Sequence, residues 1–454
     1  DTTVSGARTF ASTLRGRVTN RFRPTARAAM ELRIMRMYRT IIWTFVFMPL
    51  TVGCADEPSP EDRLQAHIEV LANEGRPPVE FVLELLQEHD LILFDDANHS
   101  ALEPFEFYRE LVRTPGFQEK VKYIFLEAVS MSEQEGLDAY LSSEPEDVSL
   151  LYTAFQNDFS GEGWSYQSYY DLMHEVWEAN RSLPEQYRLE VVAANAPVYW
   201  SAIESPKDIE LFRAGLSSAD YTQYRTILSR LERFADGHKG IYLTNTRHAY
   251  KDIRDVGGIP FLNAGTFFYL RHPGKTASVR FHNVVLNVLR ERPPTTDVRR
   301  TTAGMESFSY SWGRVADGLW DEAFAAHGNS PVALSLHGNV FGEAPYEGNH
   351  MHHAAPGQTM LDANDAVIFL APLEDLHRSG KNGAMYTASF KPELARRLEL
   401  LYTPEQLRLV IESAGVSAIE AYIDATYVSE PPTPLPQVRA AEPIDTWRSS
   451  GGAP

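Results

Sequence analysis

Leu91-Ile92-Leu93-Phe94-Asp95-Asp96-Ala97-Asn98-His99-Ser100 passes within ten residues from an unbroken apolar run to two acids and an imidazole. An apolar run without alternation fits a strand buried on both faces. Next comes Leu102–Val112, whose apolar side chains recur at helical spacing until Pro115-Gly116 ends the helix. The pattern repeats along the chain. Strand-like runs stand at Val121–Leu126, Leu189–Ala194, Gly240–Leu243, Val332–Leu336 and Ala366–Leu370. Helical spacing covers Tyr169–Leu183, Tyr221–Ala235 and Lys391–Ser413, where Pro404 opens a second segment. Strands alternating with helices predict an α/β fold, a mostly parallel central sheet flanked by helices. The helix-rich stretches 133–183 and 202–236 are long for simple crossovers and are read as a helical cap insertion.

Charge is spread unevenly over the 454 residues, whose net is −19. Residues 1–40 carry nine arginines against Asp1 and Glu31, a net of +7, which leaves −26 on the rest. So acidic a body repels phosphate backbones, and nucleic acid is not an expected partner. Residues 1–29 lie upstream of Met30, Met35 and Met37 and read as unstructured, from a start site placed too early. Arg33, Arg36 and Arg39 then precede the apolar run Thr40–Gly53, which is too short for a membrane span of about 20 residues. Residues 30–54 therefore read as a secretory signal, closing on Cys54, the single cysteine. Leu50-Thr51-Val52-Gly53-Cys54 resembles the bacterial lipobox, with Thr51 in place of the usual Leu. That resemblance implies an exported, envelope-located protein held to a membrane through lipid on Cys54. Residues 55–62 read as a tether, 63–428 as the α/β domain, and 429–454 as a disordered tail.

Ligands of open α/β sheets bind beyond the carboxyl ends of the strands. The first strand delivers Asp96 and His99 there, three residues apart, with Glu103 a helical turn further on. A carboxylate beside an imidazole raises its basicity and fixes its tautomer. The bland alternative is a helix start: Asn98 or Ser100 caps, and Glu103 completes the capping box. Taken alone, this stretch favours the helix start. Glu127 is the first charge after Tyr123–Leu126, Asn195 follows the third strand, and Asn245, Arg247 and His248 follow the fourth. His337 leaves a later strand, and His350, His352 and His353 crowd a loop. No Gly-x-Ser-x-Gly elbow is present, so a serine nucleophile has no support. Water activated by histidine, or by a metal held on His99, Glu127 and His248, is the remaining hydrolytic route.

Asp95-Asp96-Ala97-Asn98-His99-Ser100-Ala101-Leu102-Glu103 resembles the first motif of the erythromycin-esterase-like family, whose superfamily includes Tiki proteases and haem-uptake lipoproteins. Asp96 stands for the family's Glu and Ser100 for its final Gly. Glu127 matches the acid ending the family's second strand. Gly163-Trp164 through Asn180 resembles its aromatic-rich helix, and Asp365–Leu370 its last strand. Asn245-Thr246-Arg247-His248 keeps only the second of two family histidines. The resemblance implies a cleft at the strand ends, with His99 as general base and Glu127 and His248 alongside. The expected function is an envelope-anchored hydrolase of an ester or related bond. Asp96 or Glu127 would orient His99, and His248 or Arg247 would stabilise the oxyanion. Glu103, Asn195, Asn245 and His337 are expected to contact a small-molecule substrate. The alternative is a lipoprotein that binds haem or a divalent metal without turnover, through His248 or His337.

Overall fold

The computed structural model describes residues 58–216, 218–235, 237–291, 308–347 and 354–440. Leu91–Asp95 forms strand β1, and every residue in it is buried. Strands β2 (Val121–Ser130), β3 (Glu190–Asn195) and β4 (Lys239–Thr244) lie to one side of it, and β5 (Thr276–Phe281) pairs with the other. β6 (Val285–Glu291) and β7 (Phe308–Gly313) make a separate antiparallel pair. β8 (Val332–Ser335) and β9 (Ala366–Phe369) complete a seven-stranded sheet of order β3-β2-β4-β1-β5-β9-β8. All neighbours are parallel except β8 and β9.

Alternation along each strand sorts the core into two layers. Ile92, Phe94, Ile124, Leu126, Ile241 and Leu243 face Phe105 and Tyr108 of the helix Glu103–Arg113, together with Tyr169 and Met173 of Gln167–Ser182. Leu91, Leu93, Phe125 and Tyr242 face the other way, onto Tyr224 and Ile227 of Ala219–Arg230 and Phe268 of Ala264–Arg271. Burial of each such side chain contributes about 1.5–3 kcal/mol relative to exposure. The stretches read as a helical cap thus supply flanking layers, with 167–182 on one face and 219–230 on the other. No helix among the described residues is long and apolar enough to cross a membrane.

Three readings of the sequence need correction. β5 lies beside β1 at the middle of the sheet, yet Ser278 and Arg280 hide it from a search for apolar runs. Residues 60–62 belong to no tether: Ser59 Oγ accepts from Asp62 N at 3.1 Å and Pro60 opens a helix running to Glu74. Part of the expected disordered tail is ordered. Thr433–Pro434 (β11) pairs antiparallel with His377–Arg378 (β10), Leu435 is buried, and Pro436–Ala440 is helical. Residues 1–57, with the signal segment and Cys54, and residues 441–454 lie outside the described residues, as do His350, His352 and His353.

Candidate active site

The turn after β1 does not start a helix in the expected way. Asp95 Oδ1 accepts from Ala97 N at 2.8 Å, and Ala97 takes a left-handed backbone with φ of 56°. Asn98 Oδ1 instead holds Ser100 through its N–H and Oγ. The helix begins after Leu102 with no side-chain cap, and Glu103 Oε1 turns to accept from His377 N at 2.9 Å. The capping alternative therefore fails. A non-glycine residue with positive φ is costly, and such strain concentrates where a turn must aim side chains. Here it aims His99 back over the ends of β1 and β4.

His99 Nδ1 donates to Asp96 Oδ2 at 3.0 Å. Its Nε2 lies 3.5 Å from Glu127 Oε2. The Glu127 carboxylate also faces His248, whose Nε2 stands 3.1 Å from Oε1. His248 Nδ1 meets Asp220 Oδ1 at 2.7 Å. Asp96, His99, Glu127, His248 and Asp220 thus form one chain in which carboxylates and imidazoles alternate. Glu127 sits where the β2–β3 register shifts, between Leu126 and Ser130, an irregularity that re-aims a side chain. The Thr244 hydroxyl donates to Glu127 Oε2 as well. The ring of Trp164 packs edge-on against His99 at 5.1 Å.

Electrostatics follow from this alternation. Burial opposes charge on both imidazoles, but Asp96 and Glu127 around His99, and Glu127 and Asp220 around His248, outweigh it and lift each pKa to about 10. Burial likewise opposes charge on Glu127, yet the two imidazoliums hold its carboxyl well below the usual range. Asp96 goes the other way: burial raises it to about 6 despite His99.

One nitrogen has a second partner. Asn245 Nδ2 stands 2.6 Å from His99 Nε2, and the amide can donate there only when that nitrogen carries no proton. The amide is oriented by its own backbone, because Asn245 Oδ1 accepts from Arg247 N at 2.9 Å. A carboxylate suits a protonated Nε2, and an amide N–H suits a bare one. His99 therefore has a partner ready for each protonation state.

The structure brings Asp96, His99, Glu127, Asn245 and His248 together and leaves other expected residues elsewhere. The Arg247 side chain is exposed. Asn195 Oδ1 holds its neighbour Ala196 N at 2.8 Å. Glu103 is committed to His377, through both the backbone N–H and the ring. His337 needs a correction. β8 runs antiparallel to β9, so its exit lies toward the amino ends of the parallel strands, away from His99. There His337 is 62% exposed and pairs with Asp365, which also holds Lys251 at 2.6 Å. Sequence reading missed Asp220, because an acid in the first turn of a helix is an ordinary feature, and missed the Thr244 hydroxyl. Among the described residues no three His, Cys, Asp or Glu side chains are arranged to hold a metal ion. Both nitrogens of His99 and of His248 already face carboxylates or an amide. The donors do not fit the metal reading.

No protein-family model matches the chain, and no curated protein matches it. Solved structures do. The chain is similar to an erythromycin esterase. That structure, a variant of EreC in its open conformation, shares 13% identity over 64% of this chain and 92% of its own, at a TM-score of 0.42. A succinoglycan biosynthesis protein aligns at 9% identity over 69% of this chain and 97% of its own, with a TM-score of 0.46. A Bacillus cereus protein aligns at 10% identity over 68% and 97%, with a TM-score of 0.45.

Proposed function

We propose that the chain is a hydrolase that cleaves an ester or a related bond, with His99 as general base toward water. The observation that carries this reading is the double partnership of His99 Nε2 with Glu127 and Asn245. A general base must exist in a protonated and a bare form, and each form of Nε2 has a partner here. At rest the proton sits on Nε2, facing Glu127. Release of that proton to solvent leaves the neutral ring, the form that can act as a base. The bare Nε2 then accepts a proton from the attacking water, while Asp96 keeps Nδ1–H aligned. His248, clamped between Glu127 and Asp220, holds the shared carboxylate in place through both states.

Arg247 is too exposed to serve the oxyanion in this geometry, and the role passes to His248 or to Asn245. Such proton transfer contributes about 10²–10⁴-fold to rate. The test is hydrolysis of p-nitrophenyl acetate by His99→Ala with folding monitored by circular dichroism. Loss of the activity in a folded variant is expected. Equal rates in variant and wild type would remove His99 from the chemistry.

Attachment to the cell envelope belongs to the same reading. Its support is the basic–apolar leader followed by Cys54. Cys54→Ala should move the protein from the membrane fraction to the soluble fraction.

A further inference from the structure

Trp164, whose edge touches His99, also lines a separate cavity of about 460 Å³. One wall is Trp164 with Tyr166, their rings 5.5 Å apart. Tyr386 and Tyr427, their rings 4.8 Å apart, also line it, with Tyr422 beyond Tyr427. Among these rings stands the half-buried carboxylate of Glu162. Tyr402 Oη donates to its Oε1 at 3.2 Å and Tyr427 Oη to its Oε2 at 2.9 Å. Glu162 forms no ion pair among the described residues. Lys381 lines the same cavity, but its Nζ holds Glu430 at 2.8 Å. An acceptor-only group with remaining lone pairs thus faces a space walled by π systems, and no cation among the described residues pairs with it.

Two features set the ligand's chemistry. Aromatic faces carry negative charge and attract cations, most strongly ones that shed water easily, such as alkylated ammonium groups. A carboxylate in the same wall adds direct attraction in a partly dry site. We propose that this cavity binds an organic ammonium ion. Where that ion is part of the substrate, the inference rests on the hydrolase reading, since Trp164 would then set the distance between the ammonium and His99. The binding itself does not depend on turnover.

The experiment is isothermal titration of the full chain with choline and with its uncharged isostere 3,3-dimethylbutan-1-ol, at matched ionic strength. Choline should bind at least about tenfold more tightly than the isostere. Glu162→Gln, which retains an acceptor for the phenols, should weaken choline by about tenfold and leave the isostere unchanged. The titration reads binding without turnover, so choline binding in wild-type protein that hydrolyses no ester would separate failure of the hydrolase reading from failure of the site. Equal binding of the two isosteres, no choline binding at any attainable concentration, or preferential binding of methyl glucoside would overturn the proposal. The isostere comparison uses only wild-type protein, so it decides even if Glu162→Gln does not fold.

Discussion

Glu127 holds two histidines and Asp365 one, toward opposite ends of the same parallel strands, and only the pair at Glu127 is enclosed. His99 is 17% exposed and His248 13%, and both nitrogens of each ring are engaged. His337 is 62% exposed and makes one pairing through Nε2. In sequence the two clusters look alike: an apolar run followed by polar residues and an imidazole. Strand direction separates them. β1, β2 and β4 run parallel, so their exits pool acids and imidazoles in one place, while antiparallel β8 sends His337 away. A strand-end histidine becomes interesting only when neighbouring strands end on the same side.

Substitutions at the two ends should differ sharply. His99→Ala should lower kcat/KM for an activated ester by about 10²–10⁴-fold, whereas His337→Ala should leave it unchanged. Comparable losses in both would erase the distinction. For stability, Glu127→Ala strands two buried imidazoliums and should cost about 3–5 kcal/mol in chemical denaturation. His337→Ala removes an exposed pairing and should stay within about 1 kcal/mol of wild type.

pH sharpens the contrast further. Folding lifts His99 and His248 from the ordinary 6.5 to about 10. Between those values the folded chain binds more protons than the unfolded chain, so stability falls as pH rises. The contribution is complete below pH 6.5 and gone above about pH 10. Thermal melts should show Tm decreasing across this window, and Glu127→Gln should flatten the slope. The same shift leaves little neutral His99 at pH 7, so kcat/KM should climb with pH. Removing one carboxylate partner in Asp96→Asn should move that rising limb down by roughly 1–3 pH units. A limb left in place would show that Asp96 does not set the basicity of His99. The smallest effect is expected at Asp220, which meets only His248. Asp220→Asn should change kcat a few-fold with KM unaltered, and an equal change in KM would mark it as a substrate contact instead.

Much of this was legible in the sequence. Leu91–Phe94 and Val121–Leu126 announce buried parallel strands because nothing polar interrupts them. Asp96, His99, Glu127 and His248 are legible because each follows such a run within a few residues. What stayed hidden depends on partners distant in the chain. β5 carries Ser278 and Arg280, buried polar residues that are tolerable only because Ser278 Oγ finds Ala249 O and Arg280 finds Glu347 O. Asp220 reaches the site from a helix on the far layer, and no local pattern marks an acid that will meet His248. His337 was misplaced because a short apolar run does not declare its direction. Asn245 reads as a lost histidine, yet the fold uses its amide to orient against His99.

The central claim is that Glu127 is shared between two imidazoles and keeps both protonated. Histidine-selective NMR of ring-labelled protein, titrated from pH 5 to 11 and assigned with His99→Ala and His248→Ala, tests it most directly. The account predicts that both rings remain imidazolium at neutral pH and lose their protons near 10. Titration of either ring near 6.5, unaffected by Glu127→Gln, would contradict it.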